Sequence, residues 1–84
     1  MELKETIDLM VSEKYYERFE AEYYQLKIRY QKLKNMLEKE AKNELNFTPT
    51  CDIGLLKLQL DCMLMYLIIL EKRASLEEVI LQEV

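Results

Sequence analysis

The sequence predicts an all-α fold, an antiparallel helical hairpin that assembles as a homo-oligomeric helical bundle. Three observations carry this. The 84 residues hold one glycine, Gly54, and one proline, Pro49, so helices run with few breaks. Tyr16, Phe19, Tyr23, Leu26, Tyr30, Leu33 and Leu37 recur at alternating spacings of three and four, the seam of a helix packing nearly antiparallel on another at a shallow angle. Residues 53–70, IGLLKLQLDCMLMYLIIL, are too apolar for a hairpin arm that has a single partner.

In chain order, residues 1–11 form a lead-in segment with a short helix at Glu5–Met10. Ser12 is placed to cap a first long helix over residues 12–42, roughly 45 Å in length. Residues 43–52, NELNFTPTCD, are the one connection. Thr50 or Asp52 caps a second helix over 53–74. The last ten residues, 75–84, open on Ser75-Leu76-Glu77-Glu78, a capping-box pattern, so they either restart as a short helix or simply continue. The whole chain, 1–84, reads as one small domain. It lies near the size at which a single core barely suffices without oligomerisation, disulfides or metal.

Wound at about 100° per residue, the second helix carries two stripes. Ile53, Leu56, Leu60, Met63, Leu67, Leu70 and Ala74 form one, which suits the first helix. Leu55, Leu58, Cys62, Met65, Ile69 and Leu76 form the other, on nearly the opposite side, and are the expected oligomer interface. Between the stripes, at successive sevens, stand Gln59, Tyr66 and Arg73. Lys57, Asp61, Leu64, Ile68 and Glu71 take the solvent side. On the first helix, Arg18, Glu22, Gln25 and Arg29 make a second, polar register beside the seam. Five of the six tyrosines fall within residues 15–30, where a half-wet rim favours a hydroxyl over plain Phe.

Composition excludes several classes. Twelve basic against sixteen acidic residues leave a net charge of −4, which disfavours binding of long nucleic acid. Cys51 and Cys62 are roughly 16 Å of helix apart and cannot bridge within the chain. There is no His and no CxxC, so no zinc site is expected, and no cofactor. The N-terminus lacks the basic start and apolar run of a signal peptide. The longest uninterrupted apolar run, Cys62–Leu70, is about half a membrane span, so no membrane partner is expected. Free thiols point to a reducing cytoplasm. With no His, no Ser-centred elbow, no Gly-rich phosphate loop and no metal-spaced carboxylates, catalysis is not expected.

The polar registers admit two readings. Buried polar groups at a helix interface can simply fix partner and register. They can also line a cleft between protomers. Arg18, Arg29 and Arg73 would meet phosphate or ribose and Tyr23, Tyr24 or Tyr66 would stack on a base, with Glu22, Gln25 and Gln59 alongside.

Residues 16–39, YERFEAEYYQLKIRYQKLKNMLEK, and 45–74, LNFTPTCDIGLLKLQLDCMLMYLIILEKRA, resemble a group of short all-helical proteins of bacteriophages and prophages of Firmicutes and gut bacteria. The likeness spans roughly residues 8–82 and rests most on ERFEAEYYQLKIRY, the FTPTC loop and the run from Leu55 to Ala74. Relatives often carry Cys-Pro where this chain has Cys51-Asp52, a difference at the helix cap. In architecture the group is similar to the hairpin sponges with which phages defeat CBASS and Thoeris immunity. Those are oligomers that hold cyclic nucleotide signals between protomers. The resemblance implies a non-enzymatic anti-defence protein in the cytoplasm of the infected bacterial host, with itself and a small cyclic nucleotide signal as partners. The alternatives are a protein–protein inhibitor of a host defence complex, of anti-CRISPR type, and a structural or regulatory phage protein without a ligand.

Overall fold

The computed structural model describes residues 1–82. A 3₁₀ turn over Leu3–Thr6 leads into a single helical turn, α1 (Ile7–Met10). Two long helices follow, α2 (Tyr15–Ala41) and α3 (Ile53–Glu77), and the described residues contain no strand. α2 and α3 lie side by side as an antiparallel hairpin about 43 Å long.

The predicted seam forms the core, with one exception. Phe19, Tyr23 and Leu37 are buried on α2, and Leu67, Leu70 and Ala74 are buried on α3. Leu26, Tyr30 and Leu33, with Ile53, Leu56, Leu60 and Met63, are half-buried in the same interface. Tyr16 is exposed instead. A straight helix drifts off a strict seven-residue repeat, so the end of the seam rotates away from its partner.

A second buried face on α2 has no counterpart in the seam. Ala21 and Ile28 are buried outside it, while Tyr24, also buried, belongs to the cluster with Leu67, Leu70 and Ala74. The 3₁₀ turn and α1 pack back onto α2. Buried Thr6 accepts a hydrogen bond from Gln25 at 2.9 Å and donates one to the Leu3 carbonyl at 2.7 Å. After α3 the chain returns across the hairpin. Val79 and Leu81 pack on the core, and the backbone N–H of Gln82 donates to the Tyr24 hydroxyl at 3.1 Å. α2 is thus a central rod with α3 on one side and the N-terminal arm on the other.

The helix ends differ from expectation in instructive ways. α2 starts at Tyr15 rather than residue 12, with Lys14 at its N-cap and no side-chain cap. Ser12 lies one turn outside the helix. Its hydroxyl donates to Glu17 at 2.7 Å and accepts from the Lys14 N–H at 3.0 Å, bracing the entry instead of capping it. Asp52 caps α3, accepting from the Leu55 N–H at 3.1 Å. Gly54 belongs to that cap, because a Cβ there would stand 2.9 Å from the Asp52 carboxylate. At the far end α3 runs through Ala74 to Glu77, and the Ser75 capping box restarts nothing among the described residues. Glu78 adopts a left-handed conformation, φ 60°, and the Val79 N–H closes onto the Ala74 carbonyl at 2.9 Å, a helix stop.

Candidate functional site

The flank of the hairpin where α2 and α3 meet carries a ladder of polar rungs. At its first rung the Tyr15 hydroxyl donates to the Glu77 carboxylate. Arg73 joins it, donating to the same carboxylate at 3.1 Å and to the Tyr15 oxygen at 3.0 Å. The Arg73 guanidinium also lies 5.1 Å over the Phe19 ring, a cation–π contact that sets its height. One heptad further along both helices, the Tyr66 hydroxyl donates to Glu22. The same antiparallel register puts Arg29 and Gln59 at the next step, seven residues beyond Glu22 and before Tyr66. Both are exposed, and neither makes a hydrogen bond or ion pair among the described residues.

The electrostatics of the first rung follow from its bonds. The hydrogen bond from Tyr15 holds the Glu77 carboxyl below the usual glutamate range, with Arg73 adding to it. The same hydrogen bond, facing a carboxylate, pushes the Tyr15 hydroxyl up. Every member of this rung is solvent-accessible, and exposed ion pairs of this kind are weak because water screens them. An incoming anion can therefore displace Glu77 from Arg73 at little cost.

The sequence-predicted residues divide into two sets. Glu22, Arg29, Gln59, Tyr66 and Arg73 share the ladder flank. Arg18, Tyr23, Tyr24 and Gln25 do not. Arg18 donates to the Ser12 carbonyl at 2.8 Å, and Gln25 turns to Thr6 and to the Met10 sulfur at 3.5 Å. Tyr24 is fully buried, edge-on to Tyr23 with ring centroids 5.8 Å apart. Tyr23 faces the opposite flank, where its hydroxyl donates to Glu71 at 2.7 Å. That flank has its own cleft of about 620 Å³, between Tyr23, Lys27, Gln31, Glu71 and the returning tail. Tyr15 and Glu77 belong to the ladder but were missed by sequence reasoning. The signal was present, since Tyr15 is seven residues before Glu22 and Glu77 lies one turn beyond Arg73.

Beside the ladder, facing away from α2, lies the second apolar stripe. Leu55 is 58% exposed, Leu58 58%, Met65 60%, Ile69 52% and Leu76 85%, and Cys62 is an exposed free thiol among them. A shallow apolar depression is formed by Cys62, Met65, Tyr66 and Ile69. By length and composition α3 is also apolar enough to cross a membrane. Its mean hydropathy reaches 1.9 over an 18-residue window of which 11% is buried, a measure that the count of unbroken apolar residues understated.

Comparison with curated proteins and with solved structures returned no match. A family model, Sequestin, matches residues 13–76. The match takes in all of α2, the loop and nearly all of α3, and with them every residue of the ladder except Glu77. With three-quarters of its length matched, the chain belongs to the Sequestin family.

Proposed function

We propose that this protein is a non-enzymatic binder that sequesters a nucleotide-derived signal, of cyclic oligonucleotide or cyclic ADP-ribose type, between protomers of a homo-oligomer. The setting we propose is the cytoplasm of a phage-infected bacterium, where holding such a signal silences a defence response. The observation that carries this reading is the ladder itself, set beside an uncovered apolar stripe. The family's name speaks of sequestration, a binding act that needs no reacting groups.

The chemistry of the rungs suits such a ligand. Arg73 and Arg29 supply forked donors for phosphate. Tyr66, half-exposed and backed by apolar side chains, offers a stacking face, worth about 1–3 kcal/mol per base. Glu22 accepts from ribose hydroxyls, and Gln59 both donates to and accepts from a base edge. A second copy laid on the apolar stripe would wall the ladder in and lower its dielectric, strengthening each of these contacts. A lipid bilayer would cover the same stripe less well. Asp61 stands on the outer surface two turns inside α3, and an ionisable group there is expensive in lipid.

Calorimetry against a panel of cyclic di- and trinucleotides and cyclised ADP-ribose tests the proposal. The expected result is saturable binding of at least one compound. Arg73→Ala should weaken it roughly 10- to 100-fold, the loss of a charged hydrogen-bond pair. A well-folded oligomer that binds no member of the panel, or one whose affinity ignores Arg73, overturns the reading. A monomer that captures a host protein through the stripe favours the protein-inhibitor alternative.

A further inference from the structure

Resting on the sequestering reading, we propose that two copies pair through antiparallel α3 helices about a two-fold axis at Cys62, so that both polar ladders line one groove. An isologous interface needs a face that reads alike from either end. Outward from Cys62, Leu55 and Ile69 stand seven residues away in opposite directions. Leu58 stands four residues before and Met65 three after. All five are exposed, and no charged side chain belongs to this stretch of the stripe.

The helix dipoles favour the antiparallel arrangement, in which they oppose one another. The exposed stripe amounts to on the order of 600 Å² per copy, close to the roughly 800 Å² per partner of a standard interface and at the upper end of what a monomer leaves bare.

The groove follows from the symmetry. A two-fold axis perpendicular to both helices keeps each flank on its own side, so the ladders of the two copies face one another across α3 and α3. Gln59 lies three residues before the axis and Tyr66 four after it. Tyr66 of one copy therefore comes level with Gln59 of the other, twice over. Behind them, the Glu22 wall of one copy faces the Arg29 wall of the other. Each half of the groove is incomplete without the second chain, because its stacking face and its nearest amide come from different copies.

Thiol crosslinking of the full chain, without ligand, tests this. In a Cys51→Ser background, a short bismaleimide should convert most of the protein to a covalent dimer through Cys62. In a background lacking both native cysteines, chains carrying Gln59→Cys mixed with chains carrying Tyr66→Cys should crosslink several-fold more than either alone. A chain that sediments as a dimer yet resists crosslinking at Cys62 overturns the proposal. So does a chain that stays monomeric at micromolar concentration or floats with phosphatidylcholine vesicles. These readouts need no ligand, so a crosslinked dimer that binds no nucleotide would refute the sequestering reading alone.

Discussion

Tyr23 shows how a single hydroxyl ties the core to pH. Its ring is buried between the helices, and its oxygen reaches Glu71 on the outer flank. Burial, and then the facing carboxylate, push its ionisation well above the ordinary 10.0. The unfolded chain gives up this proton near pH 10 while the folded chain keeps it. The stabilisation is thus complete below that pH and is lost as pH climbs toward the folded value. Thermal unfolding between pH 9 and 11 should show a falling melting temperature, and Tyr23→Phe should flatten the fall. Tyrosine clustering in the first helix was legible in the sequence, but the division of labour among the tyrosines was not. Tyr23, Tyr24 and Tyr66 look alike in a string of letters. Only packing decides that Tyr24 is sealed against Gln82 and Tyr23, and that Tyr66 is left at the rim.

At the level of elements, hydrophobic spacing identified both long helices and the stripe that joins them, since a 3-4 repeat encodes a direction as well as a conformation. Helix ends were read less well. The Ser12 side chain found its partner in Glu17 of the first turn instead of capping the helix, and of the two readings at Ser75 the structure takes continuation. Local capping patterns compete with tertiary contacts, and here Tyr15–Glu77 rewards three more residues of α3. The buried back of α2 was invisible because its cover, the N-terminal arm, shows no long periodic pattern. Asp52 is the cap that did matter. Asp52→Ala should cost about 1 kcal/mol by denaturant titration, the usual value of an N-cap side chain. Glu78→Gly should do the reverse by a few tenths to about 1 kcal/mol, because glycine takes a left-handed φ without strain.

For the molecule as a whole, α3 divides its apolar surface between two tasks. Leu70, completely buried, holds the hairpin shut, and Leu70→Ala should cost about 2–5 kcal/mol at any protein concentration. Leu58, on the uncovered side, plays no part in that core. Leu58→Ser should leave the melting temperature of dilute protein nearly unchanged while removing its rise with concentration, a contrast that calorimetric scans across a hundredfold dilution series would show. That uncovered side also bears on how such a protein has to be supplied. A catalyst acts in trace amounts, but a binder of the kind proposed must match its ligand molecule for molecule. On that proposal the chain acts only when made in quantity. A bare greasy helix is a liability for a scarce protein, which would spend its time alone and adhere to whatever it met. For one synthesised in bulk, the proposed self-pairing would outnumber other encounters, and abundance itself would keep the stripe covered.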